Sequence, residues 1–172
     1  SPEIGEAIVA AADEVLAGGL ADQFVVDPFQ AGAGTSHNMN ANEVLANRAA
    51  EILGDRRGTY ARVHPNDHVN MGQSTNDVYP TATRLAILFV MRDLLISARD
   101  LSKALQLKSR AFRNIVKTGR THLQDAVPIT LGQEFGGYAA NVLHAAVELE
   151  RTAEQLHELN LGATAAAYAR WR

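Results

Sequence analysis

The chain has 172 residues, 47% hydrophobic and 20% charged, with a formal net charge of −3 and no cysteine. This is an ordinary globular balance: no basic excess points to nucleic acid, and no apolar run approaches the roughly 20 residues a membrane helix needs. Without cysteine, disulfides, thiolate catalysis and zinc-thiolate sites are excluded, which suits a reducing cytoplasm.

No secretory leader is read, and the chain opens abruptly inside a helix-like pattern at Ser1-Pro2-Glu3, so an upstream portion is expected to be missing. Residues 2–16 place Ile4, Ala7, Ile8, Ala11 and Val15 on one helical face, and Gly18-Gly19 ends the pattern. Residues 23–30, QFVVDPFQ, read as a short β-leaning or extended run broken by Pro28. A glycine loop, AGAGTSHN at 31–38, then leads into a helix, MNANEVLANRAAEIL, closed by Gly54. Gly32 and Gly34 allow close backbone approach, so Thr35 and Ser36 sit where a hydroxyl pair would meet an anion. A tight turn capped by Asn38 explains the same residues equally well. Four asparagines on that helix, Asn38, Asn40, Asn42 and Asn47, are unusual in a middling helix former, and bonds to a neighbouring loop are expected.

Residues 55–70 are polar and irregular. His64, Asp67 and His68 are imaginable metal ligands, but Pro65 breaks a simple helical face, so structural hydrogen bonding is expected and no metal is assigned. The stretch NDHVNMGQSTNDVYPTA (66–82) is written like a loop opening a helix. A helix N-terminus there offers unpaired N–H groups and partial positive charge, so Ser74, Thr75 and Asn76 would be able to hold a small anion without a lysine. The plain alternative is that Ser74 or Thr75 is an N-cap.

Residues 82–118 read as one long helix with a seam of Leu88, Met91, Leu95, Ala98, Leu101, Leu105, Phe112 and Ile115, spanning about 50 Å. A second long helix repeats the seam through Phe135, Tyr138, Val142, Ala146, Leu149, Ala153 and Leu156. These are bundle helices that project beyond a domain of this size, and their seams call for partner helices from further chain or other subunits. Between them lies a polar loop, GRTHLQDAVP at 119–128. His122, beside the hydroxyl of Thr121, is the strongest candidate for a titrating or substrate-binding imidazole. Asp125 orients it or caps the next helix; Arg120 binds a carboxylate or, the favoured reading, pairs with Asp125.

Together GAGTSHNMNANEV, HPNDHVNMGQSTNDVYPTA and GRTHLQDAVPITLGQEF resemble the aspartase and class II fumarase superfamily, over residues 4–164. GAGTS and QSTNDVYPT are more similar to aspartate ammonia-lyase than to fumarase, where a GSGTQ loop and a serine at position 75 are commoner. The resemblance implies a mainly α fold, with residues 1–70 part of an N-terminal helical domain and 71–172 the first two long helices of a central bundle. It implies reversible elimination of ammonia from L-aspartate to give fumarate, with no cofactor and no metal, by a cytoplasmic homotetramer whose sites each draw on three subunits. By motif, Thr35, Ser74 and Thr75 would bind the side-chain carboxylate, Thr121 the other carboxylate, and Asn76 and His122 would face the amino group, with His122 the catalytic candidate. The family's serine base lies in an SSxMPxKxNP loop that nothing in these 172 residues matches, and 166–172, AAYARWR, departs from the expected glycine-rich continuation. The chain is therefore expected to be a fragment, inactive alone. Fumarate hydratase and a non-catalytic helical assembly module are the alternatives.

Overall fold

The computed structural model describes residues 1–29 and 32–162, and over these the chain is mainly α-helical. The expectation for the tail at 166–172, and for Gln30 and Ala31 of the glycine-loop region, lies outside the described residues. The helices are α1 (Pro2–Leu16), α2 (Thr35–Ile52), α3 (Thr75–Ala111) and α4 (Leu131–Ala153), with strands β1 (Val116–Thr121) and β2 (Gln124–Thr130) between the last two. Contacts divide the chain into two compact units: residues 1–83 with the described residues from Asn160 onward, and residues 84–159.

In the first unit, α1 and α2 meet through small side chains. Ala7 and Ala11 face Ala46 and Ala49 around a fully buried Val63, with Ile4, Ile8, Leu45, Leu53, Tyr60 and Val69 packed outside. Alanines on both faces let the backbones approach closely, and the ion pair of Arg48 with Glu14, at 2.6 Å, ties the same two helices. Both helices close alike. Gly18 bonds to the Val15 carbonyl and Gly19 to that of Glu14, while Gly54 bonds to Glu51 and Asp55 to Ala50. That pair of bonds needs a left-handed residue after the last turn, which Gly18 (φ 91°) and Gly54 (φ 84°) supply without strain.

Three boundaries differ from the sequence reading. First, α2 begins at Thr35 rather than Met39, and Asn38, instead of capping it, is buried in its first turn. Second, residues 23–29 form no strand: a 3-10 turn (Ala21–Gln23) leads into a loop held on α2 by Asn40, which donates to the Gln23 carbonyl and accepts from the Val26 N–H. Third, α3 starts at Thr75, runs through Pro80 and stops at Ala111. Proline at 80 leaves the Asn76 carbonyl without its helical donor, and the Asn160 side chain takes that carbonyl at 3.0 Å. Proline inside the helix is thus tolerated because a residue far along the chain covers the group it frees.

In the second unit, α3 and α4 run antiparallel. Ser102 donates to the Ala139 carbonyl, Ser109 to that of Gly132, and Arg99 pairs with Glu150. Phe112 and Ile115, assigned by spacing to the first seam, lie beyond α3. Phe112 stacks edge-on against Phe135 at 5.4 Å, and the carbonyls of Ile115 and Phe112 accept the first N–H groups of α4, those of Leu131 and Gly132. Val116 and Thr118, β-branched, belong to a strand that starts just after Ile115, so the expected loop at 119–128 is an antiparallel hairpin with a bulge between Thr118 and Arg120. Pro128 sits in a two-stranded ribbon, where a missing N–H is tolerated. α4 opens with a capping box of Thr130 and Gln133, so Asp125 is not its cap. Much of the apolar surface of α3 is open, with Phe89 77% and Val90 68% exposed.

Candidate functional site

At the start of α3, Ser74 and Asp77 form a reciprocal cap. The Ser74 hydroxyl accepts from the Asn76 N–H at 3.3 Å, and the Asp77 carboxylate accepts from the Ser74 N–H at 2.9 Å. Asp77 is fully buried, and its second oxygen takes the Gly162 N–H at 2.6 Å, so one carboxylate fixes the helix start and fastens a distant segment to it. The cap reading of Ser74 therefore holds. Thr75 is different: half-buried, it accepts from the Asn38 side chain at 3.0 Å, and among the described residues its own N–H and O–H have no acceptor. Asn76 is exposed beside it.

The start of α2 presents a similar end. Gly34 precedes it with φ 83°, and a Cβ there would fall within the Tyr79 ring, so both backbone sign and packing require glycine. Thr35 donates its N–H and its hydroxyl to the Gly32 carbonyl, at 3.0 and 2.8 Å, and the Asn38 N–H bonds to Gly34. The N–H groups of Ser36 and His37 have no intrahelical acceptor by their position. Thr35 is thus exposed but with its proton engaged in the loop, and it would have to rotate to donate to a ligand. Within this unit the structure brings Thr75 to the first turn of α2 through Asn38, with Ser74 and Asn76 adjacent in the chain.

The asparagines bear out the expected loop bonding. Besides Asn38 and Asn40, Asn47 accepts from the Gly58 N–H at 2.7 Å. So do the histidines of 64–68: Nδ1 of His64 accepts from the N–H groups of Asn66 and Asp67, capping a single π-helical turn (Pro65–Val69), and Nδ1 of His68 accepts from the His64 N–H. Among the described residues no three His, Asp or Glu side chains gather into a metal cluster.

Thr121 and His122 belong to the other unit. Thr121 ends β1 opposite Gln124, and His122 and Leu123 form the two-residue turn with φ 47° and 61°. Both central residues of such a turn sit in the left-handed region, which favours Asn-Gly; a histidine and a leucine there are strained by about 1 kcal/mol each. Both are exposed, Leu123 by 91%. Arg120 pairs with Asp125 at 3.1 Å, as favoured from sequence, so Asp125 does not serve to orient His122. Missed from sequence was the brace beneath the hairpin, where Lys117 of β1 meets Glu134 of α4 at 2.9 Å and Tyr138 donates to the same carboxylate. The lysine bond, then the tyrosine bond, holds Glu134 below the usual carboxylate range, and Glu134 in turn pushes the Tyr138 phenol up. A Lys117–Glu134 link across a strand and a helix could be found only once the strand was.

No described helix is long and apolar enough to cross a membrane. The profile of the lyase family matches residues 1–171. Aspartate ammonia-lyase from a Bacillus species is 51% identical over 95% of this chain and 35% of its own length. Class II fumarate hydratase from Nitrosomonas europaea is 57% identical over 94% and 35%. The crystal structure titled fumarate lyase:delta crystallin from Brucella melitensis superposes with TM-score 0.85 at 56% identity, over 98% of this chain and 39% of that one. The chain spans about a third of the length of these curated relatives. With motifs, fold and profile agreeing, the chain belongs to the lyase family of aspartate ammonia-lyases and class II fumarate hydratases.

Proposed function

We propose that this chain supplies the dicarboxylate-binding part of an aspartate ammonia-lyase, which reversibly converts L-aspartate to fumarate and ammonia. The observation that carries this reading is the start of α3, a capped helix N-terminus where Thr75 keeps its N–H and hydroxyl unengaged by protein acceptors among the described residues. The C3 proton of aspartate is a very weak acid, and its removal places charge on the adjacent carboxylate. Neutral donors at a helix N-terminus stabilise that charge as it forms, and they hold product less tightly than cations would. In this reading Thr35, Ser74 and Thr75 bind the side-chain carboxylate, Thr121 binds the other, and Asn76 and His122 face the amino group. The proton is removed by a serine of a loop whose motif these 172 residues lack. The open apolar face of α3, with Phe89 and Val90, supports assembly into a cytoplasmic homotetramer in which other subunits cover it.

Threonine at 75 and the GAGTS loop support the ammonia-lyase reading; the 57% identity to a fumarate hydratase favours hydration of fumarate to L-malate as a second reading. Assaying the full-length protein on both L-aspartate and L-malate decides between them. Fumarate is expected from aspartate; turnover of malate alone would replace the first reading with the second. Turnover of neither, with Thr75→Ala and His122→Ala leaving assembly intact, would leave a non-catalytic helical module.

A further inference from the structure

We propose that Asn38 is a positioning residue that keeps the Thr75 hydroxyl a donor toward the bound anion; the inference rests on the dicarboxylate reading above. Asn38 is 6% exposed, and its Nδ2 donates to Thr75 Oγ1 at 3.0 Å and, more weakly, to Asn70 Oδ1 at 3.5 Å. Which end of a buried amide faces a neighbour follows from the rest of its network. Here the Gln73 carbonyl settles it. That oxygen can only accept, and it takes Nδ2 of Asn70 at 3.1 Å. Asn70 therefore turns its own oxygen to Asn38, and Asn38 must answer with its NH2, because an oxygen there would oppose another oxygen. The chain of bonds thus has one direction, and Thr75 Oγ1 stands at its end as an acceptor.

A hydroxyl carries one proton. Since Asn38 has already satisfied an Oγ1 lone pair, the Thr75 proton is directed away from the protein network, where among the described residues no acceptor waits. A donor at the first residue of a helix, where the dipole already favours negative charge, is suited to a carboxylate. Without the Asn38 NH2, Oγ1 is free to turn its proton inward. With aspartate at 38 the direction reverses, Thr75 donates to the new carboxylate, and a like charge is added beside the ligand.

The test is a double-mutant cycle in the full-length enzyme with Asn38→Ala and Thr75→Val. It reads kcat/KM on the substrate turned over, inhibition by the unreactive dicarboxylate succinate, and thermal unfolding. Asn38→Ala is expected to lower kcat/KM about tenfold with weaker succinate inhibition, the scale of one hydrogen bond to a charged group, and in the Thr75→Val background it is expected to cost almost nothing more. Asn38→Asp is expected to cost more than Asn38→Ala. If Asn38→Ala does not fold, Asn38→Ser carries the same cycle. Losses that multiply across the cycle, or that follow unfolding temperature instead of succinate inhibition, overturn the role of Asn38 while leaving the enzyme reading in place. A folded wild type that neither turns over nor binds dicarboxylates overturns the enzyme reading, and the inference with it.

Discussion

At the start of α3, Asp77 is fully buried and takes two backbone N–H groups, Asn38 braces Thr75, and Asn160 covers the carbonyl that Pro80 leaves open. At the hairpin tip, by contrast, Thr121, His122 and Leu123 are exposed, and two of the three hold a positive φ without glycine. The first region is organised by its own chain: several polar groups converge to fix one helix end, so in the proposed function its donors would meet a ligand without reorganising. The second holds left-handed backbone at His122 and Leu123 although neither side chain makes a hydrogen bond among the described residues. Strain of that kind clusters at functional surfaces, and in the proposed function the tip would work through what it meets in a homotetramer.

The largest effect should separate the two regions cleanly. His122→Ala is expected to lower turnover by about 100- to 10,000-fold, the range of a lost proton-transfer or polar catalytic group, with unfolding unchanged because no protein bond is removed. Asp77→Ala should do the opposite in kind: it leaves the Ser74 and Gly162 N–H groups without an acceptor, and denaturant unfolding is expected to fall by about 2–4 kcal/mol. A stability loss as small for Asp77→Ala as for His122→Ala would erase the contrast.

Gly34→Ala is expected to destabilise by about 2–3 kcal/mol, from a left-handed φ and from collision with Tyr79. Repeating it in a Tyr79→Ser background should recover the collision part and leave the φ part. At the tip the sign reverses. Replacing His122-Leu123 by Asn-Gly is expected to stabilise by about 1–2 kcal/mol while abolishing turnover, since that pair adopts the turn without strain and glycine's freedom in the unfolded chain offsets part of the gain.

The smallest effect is electrostatic. Bonds from Lys117 and Tyr138 lower the Glu134 pKa, so the unfolded chain binds the proton more readily, and this contribution is present above the ordinary carboxylate pKa and lost as pH falls through the lowered folded value. Glu134→Gln should therefore flatten the acid limb of the stability curve and leave its neutral region nearly level, read from urea midpoints across pH.

What the residues disclosed depended on how local the cause was. α1 was legible end to end, because its apolar spacing and its Gly18 stop lie within one segment. The start of α3 was hidden by Pro80, whose tolerance depends on Asn160, 84 positions from the carbonyl it covers. The hairpin was hidden because helix spacing continues through Phe112 and Ile115, and only pairing across β1 and β2 decides against it. At the candidate site, the cap at Ser74 was foreseeable from its own turn. The roles of Asn38 and Asp77 were not, since each acts on residues beyond its own turn.

In the proposed function, the brace at Thr75 and the tip at His122 would serve one ligand, supplied by different copies of the chain. Full-length Thr75→Val and His122→Ala proteins, each strongly impaired but measurable alone, should be unfolded and refolded together, with mixed oligomers verified by native mass. Recovery of turnover in the mixture, absent from either parent treated alone, is the result expected. Mixed oligomers that form and turn over no faster than the parents would contradict it.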